Sequence, residues 1–140
     1  VRRIILASHG EFANGALNTL QMIIGNVQNV YAFALERDDK MPLSNKVIRF
    51  IKNFDNSDEI FILTDMVGSS VNNDMVSMLR NYPNLTLISG MNMPLILTLA
   101  SEEGPIDEDE LEHELQMSRD GLVNCNRVLK KQQDEEDDEL

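Results

Sequence analysis

Two histidines stand in this chain, in unlike surroundings. His9 ends the aliphatic run Arg2 to Ser8 and is followed by Gly10, so it falls on a surface loop beside a small residue that lets a bulky group approach. That position suits a nucleophile. An imidazole that attacks phosphorus needs one ring nitrogen free; a carboxylate accepting the proton of the other nitrogen fixes the tautomer and stabilises the positive charge that develops. Asp65, at the end of another aliphatic run, is the candidate carboxylate. Just beyond it Gly68-Ser69-Ser70 opens a helical segment, where first-turn amides and the positive dipole end favour an anionic phosphoryl group and the hydroxyls of Ser69 and Ser70 add donors. The set reads as a phosphoryl-accepting histidine, His9 with Asp65, and a phosphate cradle, Gly68, Ser69 and Ser70, which calls for no metal and no cofactor. Taken singly, each residue also has a plain structural reading: an exposed strand-end histidine, an aspartate that begins a turn, a serine that caps a helix. Their convergence at one edge of one sheet favours chemistry. His113 sits among Glu110, Glu112 and Glu114, reads as a solvated surface residue, and stays outside the site.

The elements that must position these residues follow from hydrophobic periodicity. Strands are expected at Arg2 to Ser8, Val30 to Leu35, Glu59 to Thr64 and Leu85 to Ser89. Between them, Leu17, Leu20, Ile23 and Ile24 mark one helical face; Leu43, Val47, Phe50, Ile51 and Phe54 a second, behind Pro42; and Val71, Met75, Met78 and Leu79 a third, up to Tyr82-Pro83. A short apolar helix starts at Leu95, and a last helix near Asp107 carries Leu111, Leu115, Leu122 and Leu129 on a rough stripe. Strands alternating with helices predict an α/β fold: a doubly wound, mainly parallel four-stranded sheet with helices on both faces. The common order 2-1-3-4, taken from fold statistics, would bring the ends of strands 1 and 3, and so His9 and Asp65, to the switch point where such folds bind ligands.

Composition bounds the rest. At 140 residues and 42% hydrophobic the chain is expected to form one domain, residues 1–131, followed by an acidic tail, residues 132–140. The formal charge is -12, of which Asp134, Glu135, Glu136, Asp137, Asp138 and Glu139 supply six; repulsion within that run predicts a solvated, disordered end. Scattered Lys and Arg in so acidic a chain exclude the electrostatic footprint of a nucleic-acid or anionic-membrane binder. Met91 to Ala100 is too short to span a bilayer and Val1 to Ser8 too short for a signal peptide, so a cytoplasmic protein is expected. A single cysteine, Cys125, supports neither an internal disulfide nor a zinc site. The methionines, among them Met22, Met75 and Met78, read as core packing. Phe12, Met66 and Val67 are candidates for a docking surface, and Phe12 fits equally the hydrophobic staple of the first helix.

The segment Ile4-Ile5-Leu6-Ala7-Ser8-His9-Gly10, the strand ending in Asp65 with Gly68, Ser70 and Asn73 beyond it, and the turn Gly90-Met91-Asn92-Met93-Pro94 together resemble, in order and spacing, the mannose-family IIA components of the bacterial phosphoenolpyruvate-dependent sugar phosphotransferase system. The resemblance covers nearly the whole domain. It implies that His9 takes phosphoryl from phospho-HPr and passes it to a IIB component, with an indirect link to membrane IIC and IID partners; that Asp65 supports the imidazole; and that Ser70 contacts the phosphoryl group. It also implies a homodimer with a short fifth, antiparallel strand exchanged near the C-terminus, which the periodicity of Gly121 to Lys131 does not itself show. The family usually reads Asp-x-x-Gly-Gly-Ser-Pro, where this chain has Ser69 for the second glycine and Val71 for the proline. The short acidic end reads as that of a free-standing IIA protein. Two other readings compete: the phosphocarrier subunit of a dihydroxyacetone kinase, which typically has serine where Gly10 stands, and a regulatory module that uses the phosphohistidine as a signal. A nucleotide- or flavin-binding protein ranks last, for want of a matching phosphate loop.

Overall fold

In the computed structural model, which describes residues 1–139, the apolar runs form strands β1 (Arg2–His9), β2 (Val30–Leu35), β3 (Glu59–Thr64) and β4 (Thr86–Ser89). All neighbours are parallel, in the order β2-β1-β3-β4. The fold is the doubly wound α/β sheet expected from the alternation of elements. Crossovers are made by helices α1 (Phe12–Ile24), α2 (Leu43–Ile51) and α3 (Ser70–Met78), and α4 (Met93–Ser101) follows β4.

β1 and β3 are covered on both sides, which is why they read as unbroken apolar runs instead of alternating ones. On one face Ile5, Ala7 and Ile62 pack against Leu43, Val47 and Ile51 of α2 and Val71, Met75 and Met78 of α3. Alternation of side chains along the strands turns Ile4, Leu6, Phe61 and Leu63 to the other face, where α1 and α4 lie together and bury Ala13, Ala16 and Leu20, and Leu95, Ile96 and Leu99. Small residues at 13 and 16 let α1 approach the sheet. This stripe corrects the expectation for α1: Met22 is 82% exposed and Ile23 and Ile24 are exposed as well. Met22 follows Leu20 by two residues, about 200° around the helix, and so points away from the face that Leu20 buries.

The chain divides into two compact units, the first Val1–Pro105 and the second beginning at Ile106. The second consists of α5 (Glu108–Asp120) and α6 (Cys125–Asp138) in place of one continuous last helix, and the boundary expected after residue 131 falls inside α6. Asp107 and Asn124 each offer a side-chain oxygen to first-turn amides, so two separate helix starts are specified locally. Leu122, in the break between the helices, is exposed, and so is Leu129. Residues 132–138, expected as a disordered tail, continue α6. Lys130 and Lys131 stand four residues before Asp134 and Glu135, a spacing that sets opposite charges on adjacent turns, and Gln132 and Gln133 are good helix formers. Among the described residues no fifth strand joins the sheet, residues 121–124 being turn and irregular chain and residues 125–131 helix. No described helix is long and apolar enough to cross a membrane, and no group of three or more described His, Cys, Asp or Glu side chains is arranged to hold a metal.

Candidate functional site

Because β1 and β3 are neighbours, their carboxyl ends open on the same edge. Ala7 pairs with Thr64 in the last rung, so Asp65 lies one residue and His9 two residues beyond it. Behind His9, the fully buried Ser8 accepts the Ala13 amide on its Oγ at 2.7 Å and ties the start of α1 to the strand end. Gly10 has a φ of 53° and donates its amide to the Leu35 carbonyl at 2.9 Å. Glycine, lacking a Cβ, takes that left-handed conformation at little cost where the strand ends.

The Asp65 carboxylate accepts four donors. Its Oδ2 takes the His9 backbone amide at 3.0 Å and meets the His9 Nδ1 at 2.8 Å, while Oδ1 takes the Met66 amide at 2.8 Å and the Ser69 hydroxyl at 2.7 Å. Burial alone would raise the Asp65 pKa; the amide and ring of His9, the Ser69 hydroxyl and the Met66 amide outweigh it and hold the carboxyl at about 2. An ionised carboxylate only accepts, so the proton of this contact belongs to Nδ1. In the neutral imidazole Nε2 then carries the lone pair and accepts from the Ser70 hydroxyl, 2.9 Å away. The His9 side chain is 51% exposed and that of Asp65 13%, so the ring is open to a reactant and its support is shielded.

Ser70 reaches Nε2 because it is the first residue of α3. Gly68, at a φ of 81°, makes the turn, and Ser69 caps the helix by accepting the Asn72 amide at 3.1 Å. The amides of Ser70 and Val71, in the first turn, have no acceptor within the helix and add to its positive end. The start of α3 is anchored from behind: Asn72 Oδ1 accepts Thr64 Oγ1 at 2.6 Å and also the Ser89 hydroxyl, which joins α3 to the ends of β3 and β4. The Thr64 carbonyl takes the amides of Gly90 and Met91 at 3.1 and 2.9 Å, and Asn92 caps α4 through the Leu95 amide at 3.0 Å, so the Gly90–Pro94 turn braces the end of β3.

The structure therefore brings His9, Asp65, Ser69 and Ser70 together, with Gly68 shaping the loop. Ser69 departs from its expected place in the cradle: it is 6% exposed, and its hydroxyl is spent on Asp65 and the Asn72 amide. Sequence reasoning passed over Ser8, Thr64, Asn72 and Ser89. Their signal was small polar residues at positions that apolar periodicity assigns to the interior. On one side of His9 an open basin is lined by Glu11, Leu35, Glu36, Arg37, Asp38 and Asp39, and Phe12, Met66 and Val67 are exposed nearby in sequence to His9 and Asp65.

The family model for the PTS system fructose IIA component, EIIA-man, matches residues 3–116. The chain belongs to this family. The match takes in His9, Asp65 and the Gly68-Ser69-Ser70 loop. This IIA component is 24% identical to the PTS system fructose-specific EIIA component of Bacillus subtilis, over 98% of either chain. Among solved structures it resembles a putative sugar phosphotransferase system permease from Klebsiella pneumoniae (32% identity, 91% of this chain and 93% of the other, TM-score 0.78). It also resembles the PTS IIA protein associated with the fucose utilization operon of Streptococcus pneumoniae (29% identity, 91% and 96%, TM-score 0.76). Membership places the IIA component in the phosphoryl-transfer chain of a sugar transport system. The geometry at the edge of its sheet suits that role, with a half-exposed imidazole whose Nε2 meets a hydroxyl at a helix N-terminus.

Proposed function

We propose that His9 is the phosphoryl carrier, accepting the group from phospho-HPr on Nε2 and passing it to a IIB component for sugar uptake through membrane IIC and IID partners. The observation that carries this reading is the two-sided hold on the ring, Nδ1 to Asp65 at 2.8 Å and Nε2 to Ser70 at 2.9 Å. In the forward step the Nε2 lone pair forms a bond to phosphorus as the donor's N–P bond breaks, and that electron pair returns to the donor histidine. The Nδ1 proton stays in its hydrogen bond, and the Asp65 charge offsets the positive charge spreading over the ring. The Ser70 hydroxyl leaves Nε2 and donates to a phosphoryl oxygen, beside the first-turn amides of α3. Transfer to IIB is the same displacement with His9 as leaving group. Phe12, Met66 and Val67 supply apolar contact area for the two protein partners. On the same reading the protein is cytoplasmic and acts as a homodimer.

The test is intact-protein mass after incubation with phosphoenolpyruvate, enzyme I and HPr, beside His9→Ala. One acid-labile phosphoryl group on the parent, absent from the variant, is the expected result. Lack of phosphorylation by active carrier proteins would sink the reading. Phosphorylation with no onward transfer to any IIB would leave a signalling role for the same histidine.

A further inference from the structure

Ser69 is engaged twice. Its Oγ accepts the Asn72 amide at 3.1 Å as the cap of α3, and its one proton goes to Asp65 Oδ1 at 2.7 Å. At 6% exposure, water competes with neither bond. The two groups that hold the imidazole, Asp65 on Nδ1 and Ser70 on Nε2, lie at opposite ends of one loop. The other donor to Oδ1, the Met66 amide, is adjacent to Asp65 in the chain and moves with it. Ser69 instead joins the carboxylate to the first turn of α3, and so to the residue that faces the attacking nitrogen.

We infer that Ser69 is a positioning residue of the phosphoryl-transfer site: its hydroxyl sets the span between Asp65 and Ser70 and thereby keeps His9 in the Nδ1–H tautomer with Nε2 directed at the incoming phosphorus. This rests on the carrier reading of His9 and adds to it a residue that sits where the resembled family usually has glycine. Ser69 touches no reacting atom. Its effect runs through the carboxylate, whose Oδ1 it anchors while Oδ2 accepts the hydrogen bond from Nδ1–H. Its backbone, at φ -66° and ψ 160°, is ordinary extended chain that other residues adopt without strain.

The capping and positioning roles separate by choice of substitution. Glycine retains most of the stability of a serine N-cap and alanine does not, yet both remove the hydroxyl; threonine keeps it. Ser69→Ala, Ser69→Gly and Ser69→Thr are compared with the parent by thermal melting, by single-turnover transfer from phospho-HPr, and by ¹⁵N NMR of the His9 ring in the unphosphorylated protein. Alanine and glycine are both expected to slow transfer about fivefold at saturating phospho-HPr, the loss of one hydrogen bond, with the half-saturating concentration unchanged. In both, the ring signals move from a single tautomer toward a mixture, and threonine retains the parent values. Parent-like transfer and parent-like ring signals in Ser69→Gly, with loss confined to a less stable Ser69→Ala, would reduce Ser69 to a cap and overturn the inference. A parent that phospho-HPr does not phosphorylate would defeat the carrier reading instead, while the ring signals would still decide whether Ser69 holds the Asp65–His9 pair.

Discussion

Ser70 Oγ lies 2.9 Å from His9 Nε2, on the opposite side of the ring from the nitrogen that Asp65 holds. The hydroxyl thus occupies the side from which phosphorus must arrive, and it has to exchange one acceptor, nitrogen, for another, a phosphoryl oxygen. Ser70→Ala removes that donor at an exposed helix start. Single-turnover transfer is expected to fall about 100-fold, the lower end for loss of one donor to a charged transition state. Thermal stability should change little, because the helix cap is Ser69.

Asp65 links the site to pH. Its folded-state pKa of about 2 lies below the ordinary carboxylate value of about 3.9. A depressed pKa means that the folded state prefers the ion, so this contribution to stability is complete above about pH 4 and is lost as pH falls through about 2. Denaturant unfolding of the parent and Asp65→Asn between pH 6 and pH 2 should show a stability difference that is constant at the upper end and shrinks toward the lower. A difference independent of pH would contradict the ionised, four-donor arrangement. In transfer assays the same variant is expected to lose about 10³-fold or more, because an amide no longer enforces the Nδ1–H tautomer.

Asn72 is a buried acceptor for two hydroxyls, those of Thr64 and Ser89. Asn72→Ala leaves both donors without this partner in the interior and opens space beside α3. A loss of about 2–3 kcal/mol is expected from urea unfolding. Phosphoryl transfer should slow as well, because the start of α3 loses its tie to the ends of β3 and β4.

Val67 is 79% exposed on the loop that follows Asp65, and its side chain takes no part in the hydrogen bonds around His9. Val67→Glu places a charge on the proposed docking surface. The concentration of phospho-HPr needed for half-maximal transfer should rise about tenfold, as for loss of one apolar contact of 1–2 kcal/mol, with the saturated rate retained. A fall in the saturated rate alone would argue against a docking role.

Much of this protein is written in local pattern. Aliphatic runs followed by helical stripes specify the alternation of strands and helices, and strand ends followed by Gly10 or by a Gly-Ser-Ser loop mark His9 and Asp65 as edge residues. That information is local because strand and helix periods are set by backbone geometry over a few residues. The docking of β1 against β3 is of another kind. His9 and Asp65 are 56 residues apart, and their 2.8 Å contact exists because packing on both faces selects one strand order from several that the same pattern allows. Tertiary structure also decided that the Ser69 hydroxyl turns inward to Asp65, that Asn72 joins α3 to two strand ends, and that Met22 faces out while Ala13 and Ala16 meet the sheet. Residue types announce which groups are able to do chemistry; which of them meet depends on the closing of loops tens of residues long, and only the burial of the whole core pays that entropy.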